Sequence, residues 1–485
     1  MIKKLTIICL ILATALPLSA ADILIKGRVA SKGQGIANVL VTDGESFAKT
    51  DNKGKYKLEA DTRNPFVYIC VPKGYYAPSE QGVVKFYKNM PEGKRGVIDF
   101  NLEKRNTDET FQTIIATADP QVAMEKEFAK LRENAADIQK TADSYKASGR
   151  FVHGICAGDL TGNKYSTWFD RYNMIMDSTG IVFRNAMGNH DFVNFGRSHE
   201  TSLGEWEKTY GPTYFSYDIG DVHYVFLNNN FYIGRQWYYI AYLDEKQLSW
   251  LEKDLSYVKP GTTVFAVFHI PATRAPEDRK SFSYDRVEGV LTNQAALFKL
   301  LEPFDAHIIN GHTHTTFNQI VRDNLYVHTI PALCGAWWQG PICTDGTPIG
   351  YTVFEIDNGK VSNFYYKTIG KSKDFQLKIY TGKDAAQYEG YAVANVWAYD
   401  DSWSVEFILD GKKAGKAERF ETVDHDAKHY YSTAENLDYK WIGVTPSDHY
   451  FRCPLPEGTK SIAVKVTDHF GKTYSVTYSM PPTTQ

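Results

Sequence analysis

An excess of charge of either sign is the first thing this sequence lacks. Its 485 residues carry 54 Lys and Arg against 57 Asp and Glu, a formal net charge of −3. Such a balance gives no broad positive field, so a nucleic-acid polymer is not expected as a partner. Cysteine is scarce as well: six residues with no Cys-x-x-Cys pair argue against a zinc–thiolate site. No internal repeat or low-complexity tract stands out, and no apolar run reaches the roughly 18 residues a membrane span needs. What remains is ordinary globular composition, 43% hydrophobic and 23% charged. The length suggests about three domains at roughly 150 residues each.

The chain opens MIKKLTIICLILATALPLSAADI, with Lys3 and Lys4 before an apolar stretch from Leu5 to Leu18 and then Ser19, Ala20 and Ala21. This is the layout of a secretory signal peptide over residues 1–21, cleaved after Ala20 or Ala21. The expectation is an exported protein, periplasmic or secreted, with no transmembrane segment after signal removal. No cysteine follows the small residues, so a lipid anchor is not indicated. Loss of Lys3, Lys4 and Cys9 takes the charge to −5 and leaves five cysteines, an odd set that cannot pair completely, with Cys334 and Cys343 nearest in sequence. Cysteine is read as structural.

Three textures follow. Residues 22–105 show short β-prone runs such as ILIKGRV, GKYKLEA and PFVYICVP between Gly, Asp, Asn and Pro, a small all-β sandwich. Within it TDNKGKY reads as a tight turn in which Gly54 takes a positive φ. After the charged joint EKRNTDET, residues 106–370 alternate apolar strands with helical patterns, FQTIIATAD, then AMEKEFAKLRENAADIQKTADSYKAS, then FVHGICAGD, which is α/β texture. From 371 to 485 helical patterns disappear and β alternation returns, a second β domain.

In the middle segment, polar residues of one chemical kind recur at the ends of strand-like runs, where α/β sheets gather ligands. TIIATADPQ ends in Asp119 and Gln121, and FVHGICAGD in Asp159. IVFRNAMGNHD ends in Asn189, His190 and Asp191, TVFAVFHIP in His269, and AHIINGHTH in His312 and His314. In an extended segment His312 and His314 share a face, their Cα atoms about 6.6 Å apart. By contrast His153, His223 and His307, inside apolar runs, read as core histidines.

The ordered set Asp-x-Gln, Gly-Asp, Gly-Asn-His-Asp, His and Gly-His-x-His resembles the calcineurin-like metallophosphoesterase family over roughly residues 111–368. The flanking modules look like the β domains attached to some exported bacterial members. The resemblance implies an α/β catalytic domain, a two-sheet sandwich flanked by helices, between two small all-β domains. It also implies two divalent metal ions, Mn, Zn or Fe. One is held by Asp119, Gln121, Asp159 and His314, the other by Asp159, Asn189, His269 and His312. Water activated between them attacks phosphorus, with His190 as general acid and Asp191 orienting it. Two positions depart from the common pattern: Gln121 replaces a histidine, which implies a more labile first metal, and Gly162 stands where some members have an aspartate and purple acid phosphatases a tyrosine. Asn163 is a candidate partner for His190 instead.

Arg197 and His199 are candidate phosphate contacts, since arginine suits bidentate oxyanion binding. Trp337 and Trp338, adjacent on a Gly- and Pro-rich stretch, cannot both pack on one core face, so at least one is expected at the substrate entrance. The expected partner is a phosphorylated small molecule, a lipid head group or a glycan, cleaved as a monoester or a diester. The alternative is a non-catalytic surface or periplasmic binding protein with a structural metal site, its β modules engaging glycan or protein.

Overall fold

The computed structural model describes residues 22–236, 238–273 and 284–480. The signal-peptide expectation, residues 1–21, lies outside the described residues.

The middle domain is built on two facing sheets. The first runs in the order Phe183–Asn185, Phe151–Cys156, Phe111–Thr117, Gly350–Asp357, Lys360–Thr368. Its first three strands are parallel, and Gly350–Asp357 joins antiparallel. The second sheet is ordered Phe215–Ile219, Val222–Phe226, Thr263–Val267, Asp305–Asn310, Leu325–Thr329, Phe317–Arg322, with a parallel centre and antiparallel edges. A parallel strand is covered on both faces, so its sequence is apolar throughout rather than alternating. In FQTIIAT, Ile114 and Ala116 enter the core shared by the two sheets, while Ile115 enters the core beneath the helices Glu127–Ala147 and Thr167–Asp177. The first helix keeps Phe128, Leu131, Ala135, Ile138 and Ala142 inside at three- and four-residue spacing.

The N-terminal domain carries a five-stranded sheet centred on Asp22–Ser31 and a four-stranded one around Phe66–Ile69. Gly54 is at φ 75° in the Asp51–Lys55 turn, where Asp51 Oδ1 accepts from Lys53 N and Lys55 N at 2.8 Å each. This domain does not stand apart: Phe86 meets Phe215 at 4.6 Å between ring centroids, and its apolar residues run continuously into the core of the middle domain.

The C-terminal domain packs two four-stranded antiparallel sheets. The expectation that helices vanish after residue 370 is corrected. His425–Thr433 is α-helical, N-capped by Asp424, whose Oδ1 accepts from Ala427 N at 2.8 Å. Its polar sequence HDAKHYYST buries only Ala427 and Tyr431, too thin an apolar stripe for periodicity to reveal. No helix among the described residues is long and apolar enough to cross a membrane.

Candidate metal centre

The candidate ligands lie just beyond strand ends on the two sheets. Asp119 and Gln121 follow Phe111–Thr117, and Asp159 follows Phe151–Cys156. Asn189 follows Phe183–Asn185, His269 follows Thr263–Val267, and His312 and His314 follow Asp305–Asn310. To leave the ladder and turn inward, Asp119, Gln121, Asp159, His312 and His314 take φ values of 50°, 37°, 55°, 72° and 56°. Left-handed backbone costs an L-residue on the order of 1–2 kcal/mol. Five such positions in one cluster mark side-chain aim maintained against local strain.

The same strain corrects the reading of His312 and His314 as neighbours on one strand face. The strand ends at Asn310, and a bend sends His312 toward Asn189 and His269 and His314 toward Asp119. Glycines permit the close approach. A Cβ on Gly188 would fall 2.1 Å from Asp159 Oδ1, and one on Gly311 would fall 2.4 Å from Asp119 Oδ2.

Asp119, Asp159 and His269, all buried, bring donor atoms within 4.8 Å of one another. His269 Nε2 lies 3.3 Å from Asp159 Oδ2 and 3.9 Å from Asp119 Oδ1. It is also 3.0 Å from Asn189 Oδ1 and 3.2 Å from His312 Nδ1. Its other ring nitrogen, 2.7 Å from the Ala157 carbonyl, donates there and so aims Nε2 into the cluster. His314 repeats the device, with Nδ1 3.0 Å from the Gly335 carbonyl and Nε2 3.5 Å from Asp119 Oδ1. Asp159 Oδ1 accepts from His190 N at 2.8 Å, leaving Oδ2 to the cluster. Burial works against charge on His269, yet Asp159 and Asp119 raise its pKa to about 9, so this pocket stabilises a cation at Nε2.

The buried Gln121 adds an amide oxygen that has no hydrogen-bond partner among the described residues. Carboxylates, imidazoles and amide oxygens without a thiolate make a donor set for divalent ions such as Mn, Zn or Fe. These residues fit the metals that the sequence implies. Gln121→His, which exchanges a neutral amide for a stronger imidazole donor, is expected to slow metal loss on dialysis against a chelator by on the order of tenfold. Unchanged retention in metal analysis would contradict a weak ligand at this position.

Asp191 is placed otherwise than expected. Its buried carboxylate accepts from Gly188 N at 2.9 Å, Leu160 N at 2.9 Å and Thr161 N at 3.2 Å, and so ties together the two ligand loops instead of orienting His190. Burial and then Asp159 push its pKa up to about 8. The neighbour of the half-buried His190 is Asn163, whose Nδ2 lies 3.0 Å from His190 Nδ1 and whose Oδ1 accepts from Asn194 Nδ2 at 3.0 Å. Gly162 admits no side chain as the backbone stands, because a Cβ there would come 2.6 Å from Ala123 Cβ.

The two tryptophans divide. Trp338 is buried and its Nε1 donates to the Pro120 carbonyl at 2.8 Å, bracing the residue between Asp119 and Gln121; its expected place at the entrance is corrected. Trp337 is half-buried and stacks on His314, 4.3 Å between centroids with planes 27° apart. His199 also differs from expectation: its ring stacks on Phe231 and its Nδ1 accepts from Tyr232 N at 3.2 Å, a loop anchor and not a phosphate contact. Arg197 is exposed on the same loop.

Sequence reasoning missed Trp441. It comes from the C-terminal domain, is 61% exposed and meets Trp337 edge to face at 4.5 Å, with Tyr439 behind it at 5.6 Å. Its loop is held against the middle domain through Asp438, which accepts from Lys126 Nζ at 2.5 Å and Gln339 Nε2 at 3.1 Å. No motif surrounds Trp441, and only the docking of the two domains brings it here.

Three family descriptions match the chain: "N terminal of Calcineurin-like phosphoesterase" over residues 23–105, "Calcineurin-like phosphoesterase" over 112–316, and "C terminal of Calcineurin-like phosphoesterase" over 327–474. Among solved structures, the chain is similar to a dimetal phosphatase from Danio rerio, with 14% identity and a TM-score of 0.38 over 53% of this chain and 99% of that one. It is also similar to a 5'-nucleotidase from Candida albicans, with 10% identity and a TM-score of 0.30 over 53% of this chain and 52% of that one. A third is an NAD nucleotidase from Haemophilus influenzae, with 9% identity and a TM-score of 0.29 over 53% and 49%. No curated protein matches.

Proposed function

The chain belongs to the calcineurin-like phosphoesterase family, and from that premise we propose an exported hydrolase of phosphate monoesters or diesters that works with two divalent ions. The observation that carries this reading is the convergence of Asp119, Asp159, Asn189, His269 and His312 with His190 one residue from Asn189. Asp119, Gln121, Asp159 and His314 would hold one ion, and Asp159, Asn189, His269 and His312 the other. Divalent ions bound there supply Lewis acidity, acidifying a water and neutralising phosphoryl charge.

The chain's own residues do the rest. Asp159 turns Oδ2 toward His269 and fixes the His190 backbone with Oδ1. His190 has Nδ1 turned to Asn163, which leaves Nε2 to give its proton to the leaving oxygen as the P–O bond breaks. An asparagine partner can hold Nδ1 as donor or as acceptor but brings no charge, and burial lowers the pKa of His190.

Trp337 and Trp441 beside His314 favour a leaving group that presents a flat ring. Trp441→Ala is expected to raise KM for an aryl phosphate about two- to twelvefold, as the loss of roughly 0.5–1.5 kcal/mol of stacking predicts, with glycerol phosphate unaffected. Equal KM changes for both esters would remove this role.

The reading as a whole is tested by hydrolysis of an aryl phosphate monoester beside the matching diester, by protein supplied with Mn2+ or Zn2+. The preferred ester assigns phosphatase or phosphodiesterase. Two bound metals with no turnover of either ester would favour the binding-protein alternative. The mature N-terminus, read by mass spectrometry from exported material, tests the signal peptide.

A further inference from the structure

The N-terminal domain meets the second catalytic sheet through a short parallel contact, Val71 beside Tyr217, with Asp218 N donating to the Val71 carbonyl at 2.9 Å. That contact brings Cys70 of one domain to Asp218 and His223 of the other. One sulfur, one carboxylate oxygen and one imidazole nitrogen lie within 4.8 Å of one another. Cys70 and His223 are buried and Asp218 is half-buried, all three on the wall of a cleft of about 640 Å³. His223 Nδ1 is 2.8 Å from Asp218 Oδ1, and His223 Nε2 is 2.8 Å from Asp254 Oδ2. Asp254 is wholly buried, and its other oxygen accepts from Ser216 Oγ at 2.8 Å.

We propose that Cys70, Asp218 and His223 form a further metal site for a zinc-type divalent ion, joining the N-terminal domain to the catalytic domain and separate from the phosphoesterase centre. A thiolate, an imidazole and a carboxylate are the mixed donors that Zn2+ accepts, with a fourth tetrahedral position open to the cleft. Bonds of about 2.0–2.3 Å set tetrahedral ligand atoms roughly 3.3–3.8 Å apart, so these donors need only small side-chain adjustments. The Ser216–Asp254–His223 chain holds one ring nitrogen and aims the other, as carboxylates behind metal-bound histidines do.

Binding of a divalent ion at these atoms would displace the proton on His223 Nδ1 and the one on the Cys70 thiol, two positive charges for the two that the ion brings. The lack of a Cys-x-x-Cys pair hides such a site, because its ligands stand at positions 70, 218 and 223 and meet only across the domain seam.

The test is cobalt titration of the full chain after chelation. Thiolate ligation gives a sulfur-to-cobalt charge-transfer band in the near ultraviolet, which the oxygen and nitrogen ligands of the other centre do not. The band is expected to saturate with about one equivalent of cobalt in this site. It should vanish in Cys70→Ser, whose aryl phosphate hydrolysis stays unchanged, and persist in Cys334→Ser, the thiol beside His314. If Cys70→Ser does not fold, Asp218→Asn at the half-exposed position should weaken the cobalt binding that gives the band by on the order of tenfold. Cobalt bound with no such band, a band that survives Cys70→Ser, or one lost in Cys334→Ser would each overturn the proposal.

Discussion

Asp159→Ala is expected to lower kcat/KM for ester hydrolysis by roughly 10³–10⁵, about 4–7 kcal/mol of transition-state stabilisation at 1.36 kcal/mol per tenfold. The size follows from the two tasks of one side chain. Its carboxylate would be shared by both proposed ions, with Oδ2 3.3 Å from His269 Nε2, while Oδ1 accepts from His190 N at 2.8 Å. Alanine removes the shared ligand and releases the backbone that carries the proton donor. The measurement is single-turnover and steady-state hydrolysis of the aryl monoester and diester, with metal content determined on the same samples. Bound metal should fall together with rate. A variant that keeps rates within about tenfold of the parent would place the chemistry elsewhere, because a group central to an electrostatic site costs more than this when removed.

His190→Ala carries the second large effect, and its signature is selectivity. Loss of a positioned general acid typically costs 10²–10⁴-fold. The cost should approach the upper end for an alkyl ester, whose leaving oxygen needs the proton, and shrink toward unity for an aryl ester with an acidic phenol. Metal content should be unchanged, since His190 touches the cluster only through its backbone. A companion change, Asn163→Asp, sets a carboxylate 3.0 Å from Nδ1 in place of a neutral amide. A nearby anion raises the pKa of imidazolium, so the protonated form persists to higher pH and the alkaline limb of the kcat profile should move upward. A uniform loss across all esters in His190→Ala would reassign the residue from proton donor to binding group.

Much of the site was legible because it follows a simple rule: parallel strands read as apolar runs, and ligands appear where those runs stop. Asp119, Asp159, Asn189, His269, His312 and His314 all stand at such stops, and the structure gathers them. What the sequence could not show was direction beyond the stop. The strained bends at His312 and His314 send two apparent strand neighbours to different partners. Asp191 looks like a partner for His190 by adjacency, but a residue next in chain is seldom next in contact across a tight turn, and its carboxylate caps backbone donors instead. Asn163 was reachable because Gly162 cannot serve. Trp338 and Trp441 were opposite errors of one kind: the adjacent tryptophan is buried under Pro120, while the exposed one arrives from a domain read as separate. Domain texture was right in its β, α/β, β order, yet shared core and cross-domain hydrogen bonds have no periodicity to announce them.

The loop from Cys334 to Ile349 has a consequence for the order in which the molecule is made. Its Gly335 carbonyl aims His314, and Asp345 Oδ2 accepts from Thr316 N at 2.8 Å, two residues past that ligand. Residues of the last domain clasp this loop. Tyr450 Oη donates to the Asp345 carbonyl at 3.0 Å, Asn395 Nδ2 donates to the Gly346 carbonyl at 3.2 Å, and Thr445 N donates to the Thr344 carbonyl at 2.9 Å. Chains emerge and fold from the N-terminus, so Asn395, Thr445 and Tyr450 leave the ribosome well after His314 and the loop they clasp. A chain that stops between residues 349 and 395 bears every candidate ligand and the loop that aims His314, but none of these three clasps. The C-terminal domain thereby meets the site as a late-synthesised brace and not as a source of ligands.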